Sequence, residues 1–320
     1  MKFPTADPRG VFASVFVPEW LGLAAIIVVA MLWARLIDFH ISITTRDFHV
    51  FAAVIASMAL LRLFGQKRGA LMAEFLALTL AMAMVFTVLS YLSMAVSLSL
   101  ADRQLLAIDH ALGFDWLAGW HFLTAHPLGL KAANLLYNSL TWQALYLCLF
   151  LGLMARKAAM RELFWLLFVS ALLTDLIAIV LPAYGPFEIF GLASHAEFLP
   201  DMKYLKSGAA LNFELGKMTG VISFPSFHTV MALCYAYGAR KTGIIGHIVA
   251  AMNILMLFTV PFIGGHYLID MIAGAGVMLL ALAIVTAIRK LPSNAAATSG
   301  QSVSAESVSP ECAARSGGAC

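Results

Sequence analysis

An all-α, polytopic membrane helix bundle with about eight transmembrane helices is what this sequence predicts, and three observations carry that reading. Of 320 residues, 62% are hydrophobic and only 12% are charged, whereas soluble globular domains carry roughly 25% charged residues. The apolar residues gather in windows of about 20, the length that crosses a bilayer core. Basic residues concentrate in short turns between alternate windows.

The first window, Pro18 to Leu36, follows a lead-in, MKFPTADPRGVFASVFVPEW, with no compact apolar core and no small-residue cleavage site. It reads as a retained cytoplasmic segment. Asp47 to Phe64 is the second window, and Leu71 to Leu98 is a third, long enough to tilt or to run past the bilayer. Residues 101–131 mix aromatics, acids and apolar residues at loosely helical spacing. That suits two interfacial helices, capped by Asp109 and Asp115, with Trp116 and Trp120 at headgroup level. Ala132 to Met154 and Glu162 to Leu181 follow, the latter with Asp175 inside it, where an acid requires a cavity or a partner. Glu74 is expected to snorkel near the inner surface. Residues 182–221 form a second long connection, a length that usually carries function. Phe224 to Ala239 is short, as suits a helix starting inside a polar cavity, and Gly243 to Ile263 and His266 to Ile288 complete the set. Residues 1–291 therefore read as one integral membrane domain, its catalytic half at about 161–290. The Ala/Ser/Gly-rich tail, 292–320, cannot bury enough apolar surface to fold and is expected to be disordered. Cys148 and Cys234 fall inside apolar windows as small hydrophobes, and the four cysteines give no disulfide framework. A formal charge of +3 gives no reason to expect nucleic acid.

With the N-terminus inside, the inner segments hold 13 of the 20 Lys and Arg residues, among them Arg62, Lys67, Arg68, Arg156, Lys157, Arg161, Arg240 and Lys241. The positive-inside rule then places the opposite ends of the helices on the extracytoplasmic side of a plasma (inner) membrane.

Two polar islands open on that side: SFPSFHT (Ser223 to Thr229) and GGHYLID (Gly264 to Asp270). One apolar descent, a basic turn at Arg240 and Lys241, and one apolar return separate them, so His228 and His266 come to the same face. His266 and Asp270, at i and i+4, share one side of a helix. A carboxylate on one imidazole nitrogen fixes the tautomer and leaves the other nitrogen basic. An ionised Asp270 in an apolar helix needs such a partner. Gly264 and Gly265 allow a tight reversal and a close approach of substrate to the backbone. Ser223, Pro225 and Ser226 form a helix start, whose free N–H groups and dipole suit a phosphate, with His228 one turn inside. His, His and Asp are also permissible zinc ligands, but no HExxH-type pair and no Cys ligand accompanies them.

The two islands resemble the second and third signature motifs of the type-2 phosphatidic acid phosphatase superfamily, and the forms Ser-Phe-His and His-Tyr-x-x-Asp followed by Gly274 look most like its inositol phosphorylceramide synthase-like branch. The resemblance covers about residues 161–290. It implies a six-helix catalytic core without metal or cofactor, His266 as the nucleophile that forms a phosphohistidine, Asp270 as its orienting partner, and His228 as the acid that protonates the leaving alcohol and the base that activates the acceptor. Ser226 and Gly265 would hold the phosphate. The family's first motif, Lys, six residues, then Arg-Pro, is absent, and Thr259 and Val260 stand where Ser-Arg precedes the third-motif histidine. Lys206 is the expected substitute cation, with Lys203 and Lys217 behind it.

The function so predicted is a metal-independent phosphatase or phosphotransferase acting on a membrane lipid phosphate. An inositol-phosphate transferase of the sphingolipid-synthase type would use the same residues. A transporter or scramblase with a His/Asp relay would instead spread its ionisable groups through membrane depth. Substrate lipid is the one partner expected, and no sequence feature sets an oligomeric state.

Overall fold

The computed structural model of the chain describes residues 14–290. The start of the lead-in, the expected tail disorder and Cys312 and Cys320 lie outside the described residues.

Thirteen α-helices make the described fold all-α. They are α1 (Val17–Leu36), α2 (Thr45–Leu63), α3 (Lys67–Val96), α4 (Asp102–Ala111), α5 (Trp116–Thr124), α6 (Pro127–Leu153), α7 (Lys157–Val180), α8 (Pro186–Ile189), α9 (Leu199–Leu205), α10 (Phe227–Ala239), α11 (Ile244–Leu257), α12 (Val260–Ile263) and α13 (Leu268–Lys290). Two four-residue strands, β1 (Phe39–Ser42) and β2 (Leu211–Glu214), pair in parallel with Phe39 opposite Leu211.

The expectation of about eight spans is corrected. Among the described residues, four helices are long and apolar enough to cross a membrane: α1, α3, α7 and α13. In α2 the apolar stretch is Phe48–Leu63, too short to qualify as a span. Helix α6 has 27 residues, but Lys131, Asn134, Asn138, Ser139 and Gln143 interrupt its apolar run. Helix α10 has 13 residues, about 20 Å of rise. The window from Gly243 to Ile263 is two helices, because the chain breaks at Phe258 and Thr259 before restarting at α12 with Pro261 in its first turn; a proline is tolerated there and not mid-helix. The six-helix core is not retained, since it counted those shorter helices as spans.

Between apolar helices in a bilayer, close packing replaces the hydrophobic drive, so small residues matter at contacts. A Cβ on Gly274 of α13 would stand 2.5 Å from the Ser226 carbonyl oxygen, and one on Gly152 of α6 would stand 2.1 Å from Met72 Cγ. Helix α7 packs against α3, α10 and α13 and forms the centre of the bundle.

The bundle has two chemically distinct ends. At one, Glu162 accepts from Arg240 at 3.1 Å and pairs with Arg289 at 3.2 Å, Arg156 donates to the Lys241 carbonyl at 2.6 Å, and Arg62 meets Glu74 at 2.6 Å. Glu74 does not snorkel: it is 1% exposed and also takes the Ser14 hydroxyl and the Val15 N–H. At the other end the long connections fold inward. Leu98 N–H bonds the Ile179 carbonyl at 2.9 Å, and Ala101 N–H bonds the Pro182 carbonyl at 2.8 Å.

The aromatic pair of 101–131 also differs from expectation. Trp116 is 1% and Trp120 7% exposed, and the Trp116 indole N–H donates to the Pro261 carbonyl at 2.8 Å. They stack on each other and meet Phe187 edge-on, so they anchor α5 to α8 and α12 instead of the membrane surface. Asp115 does cap α5, accepting from Ala118 N–H at 2.9 Å.

Candidate active site

Both polar islands are helix starts, and they meet at the inward-folded end. Ser226 is the N-cap of α10; its hydroxyl accepts from Thr229 N–H at 3.3 Å. Its own N–H donates to the Asp270 carbonyl at 2.9 Å. That bond, with the missing side chain at Gly274, fastens the start of α10 to the first turn of α13.

His266 stands on the loop just before α13 and is 2% exposed. Its Nδ1 lies 2.9 Å from the Ser223 carbonyl oxygen and 3.4 Å from Asp270 Oδ2. A carbonyl only accepts, so Nδ1 carries the proton and Nε2 carries the lone pair. The expected carboxylate is present, but the nearer partner is a backbone carbonyl. Asp270 Oδ2 in turn accepts from Tyr267 N–H at 2.9 Å and from the Ser223 hydroxyl at 3.1 Å. Ser223 thus touches both members of the pair, one with its carbonyl and one with its side chain.

The His228 ring lies 5.7 Å from the His266 ring, centroid to centroid, at 62°. Its Nε2 is 2.7 Å from the hydroxyl of Tyr137 on α6, and the two rings stack at 4.6 Å. Burial pushes His266 down to about 4, against the upward pull of the Ser223 carbonyl. Burial, and then the neighbouring His266, push His228 down to about 3. Both imidazoles are therefore neutral at neutral pH.

Two acids on α4, one face and two turns apart, support this arrangement from outside. Asp109 is fully buried and accepts from Leu268 N–H at 2.7 Å and Ile269 N–H at 2.9 Å. It caps α13, not its own helix as the sequence suggested. Asp102 accepts from Tyr184 N–H at 3.0 Å, Gly185 N–H at 2.8 Å and the Tyr267 hydroxyl at 3.0 Å. Gly185, at φ 90°, crosses so close to the loop that carries His266 that a Cβ would stand 2.5 Å from the Gly265 oxygen.

The other predicted site residues fall as follows. Gly265 has φ 67°, and a Cβ there would meet the Phe187 ring at 2.5 Å, so its side-chain direction is filled by an aromatic. The Lys206 ammonium donates to the Ser97 carbonyl at 2.8 Å and to the Ser97 hydroxyl. Lys203 pairs with Glu188 at 2.8 Å and Lys217 with Glu214 at 2.7 Å. Each lysine is held by a partner outside the His228–His266–Asp270 group. Asp175 is buried in α7, and its Oδ2 has no hydrogen-bond partner among the described residues. Among the described residues, no group of three or more His, Cys, Asp or Glu side chains is placed to hold a metal ion.

A family profile described as the PAP2 superfamily matches residues 103–284, more than half of the chain. The chain belongs to the PAP2 superfamily. No curated protein and no solved structure matched it. The PAP2 match takes in His228, His266 and Asp270, and also Asp109 and Tyr137. A PAP2 domain in a protein with apolar helices able to span a membrane is consistent with a metal-independent enzyme acting on a lipid phosphate.

Sequence reasoning missed Tyr137, Asp102, the role of Asp109 across helices, and the Ser223 carbonyl. Tyr137 had a signal: Asn134, Tyr137 and Asn138, at i, i+3 and i+4, make a polar turn in an otherwise apolar helix. Asp102 and Asp109, seven residues apart, share a face. The carbonyl had none, because every residue carries one.

Proposed function

We propose that this PAP2-superfamily protein is a membrane phosphatase or phosphotransferase that acts on a lipid phosphate through a phosphohistidine on His266. The observation that carries the reading is the bond from His266 Nδ1–H to the Ser223 carbonyl. It leaves the Nε2 lone pair free, on a ring whose centroid lies 5.7 Å from that of His228. Nε2 attacks phosphorus in line, the ester oxygen leaves with its electron pair, and His228 supplies that oxygen's proton. In the second half His228 takes a proton from water or an alcohol, whose oxygen displaces His266.

His228 is neutral at rest, and an arriving phosphate anion raises its proton affinity, as an opposite charge within about 4–6 Å does. The first turn of α10 offers N–H groups with no helical partner, at Phe227 and His228, for the non-bridging oxygens. The cation-rich end of the bundle faces the cytoplasm in this reading, and the histidines face the extracytoplasmic side.

One observation favours a transferase acting on phosphodiesters, such as the inositol-phosphate transfer of the branch the motifs resemble. Lys203, Lys206 and Lys217 are each paired elsewhere, and two neutral imidazoles surround the reacting position. A singly charged diester is better matched to such a site than a dianionic monoester, which leaves more charge uncompensated.

The experiment is His266→Ala, assayed with radiolabelled lipid phosphodiesters and monoesters in detergent, with and without an alcohol acceptor. Wild-type protein is expected to hold an acid-labile phosphoryl label and turn over, while the variant does neither. Turnover retained by the variant would overturn the assignment.

A further inference from the structure

Tyr137 lies outside both polar islands, yet its hydroxyl hydrogen-bonds a ring nitrogen of His228, at 2.7 Å between Oη and Nε2. The position of that hydroxyl relative to His266 follows from Gly264. A methyl group added to Gly264 would stand 2.9 Å from Tyr137 Oη and 2.8 Å from His266 Cδ2. Cδ2 is the ring carbon bonded to Nε2, so Oη, which bonds the nitrogen that exchanges the proton, also lies within about 6 Å of the carbon next to the nitrogen that attacks. The phenol ring stacks on the His228 imidazole with 28° between planes, which fixes the direction of its hydroxyl. Burial pushes the phenol's acidity down, keeping it protonated. A hydroxyl can donate one proton while accepting another.

We propose that Tyr137 is a catalytic residue that carries the proton between His228 and the substrate oxygen. The proposal rests on the phosphohistidine reading of the same site. In the first half-reaction the His266 Nε2 lone pair forms the N–P bond while the P–O ester bond breaks toward oxygen. Tyr137 Oη–H passes its proton to that oxygen and takes the Nε2 proton of the protonated His228, so tyrosine ends neutral and His228 has lost one proton. In the second half the acceptor's O–H proton goes to Oη as the Oη proton returns to His228 Nε2. The acceptor oxygen bonds phosphorus, and the N–P electron pair returns to His266.

A proton carrier matters in proportion to how badly the leaving group needs its proton. The test compares an alkyl methyl phosphodiester with the matching alkyl p-nitrophenyl phosphodiester, in detergent micelles, using wild type, Tyr137→Phe, His228→Asn, the double variant and His266→Ala. Tyr137→Phe keeps the stacked ring and loses the hydroxyl alone. It is expected to lower kcat on the methyl ester by roughly 100- to 10,000-fold, the usual worth of general acid catalysis, and on the p-nitrophenyl ester by less than about 10-fold. On the methyl ester the double variant is expected to be no slower than His228→Asn alone, because the two groups act in series. A general folding defect would lower both esters equally and add to the His228 loss; that result, or an unchanged ratio between the esters, overturns the role of Tyr137 and leaves the His266 reading standing. If His266→Ala matches wild type on the p-nitrophenyl ester, the phosphohistidine reading falls and this proposal with it.

Discussion

Asp270 and the Ser223 carbonyl share one donor, His266 Nδ1–H, and the carbonyl is the closer of the two at 2.9 Å against 3.4 Å. Removing the charge at position 270 should therefore not release the ring. Asp270→Asn is expected to lower turnover about 10- to 100-fold, the range for losing an outer partner of a reactive histidine, while the acid-labile label on His266 still forms. Turnover and labelling of the two variants side by side check this, and an Asp270→Asn protein as dead as His266→Ala would contradict it. His266 and Asp270 were legible as a pair because a helical period of four is written in the sequence. The Ser223 carbonyl was not, since backbone acceptors have no letter of their own. A phosphate normally needs a cation, which points to the lysines; sequence could not reveal that Glu188, Glu214 and Ser97 hold them.

At the scale of elements, one side chain of α4, Asp109, caps the start of α13. Without Asp109, the N–H groups of Leu268 and Ile269 would lose their acceptor in a partly buried setting. Asp109→Ala is expected to cost about 1–2 kcal/mol, as loss of a helix cap does, seen as a lower melting temperature of the protein in detergent; an unchanged melt would show that α13 finds another cap. The placement of helices along the chain was largely legible, because each apolar window does contain a helix. The number of spans was not. Hydropathy windows run straight through the break at Thr259 and through the polar turn at Asn134–Asn138, and they do not register that α10 ends after 13 residues. Contacts such as Asp109 to α13 join residues about 160 apart, a separation at which local periodicity carries no information.

The whole molecule is polarised along the helix axes, with arginine–glutamate pairs at one end and the histidines at the other. Single cysteines test this directly. With Cys312 and Cys320 replaced by Ser, the native Cys148 and Cys234 are buried and give little background. Glu197→Cys, on the connection near the histidines, and Lys241→Cys, in the opposite turn, are expected to react with an impermeant maleimide from opposite sides of sealed vesicles; reaction from the same side would contradict the arrangement. Glu162 gains a meaning from this geometry. One carboxylate grips the tail of α10 through Arg240 and the tail of α13 through Arg289, the two rods whose heads present the imidazoles. For a rod of about 20 Å, a lean of roughly 3° at the tail swings the head by about 1 Å, and an error of that size can slow a reaction about 100-fold. The alignment of the two rings is thus trued from the far face of the bundle, by a residue that never meets phosphate.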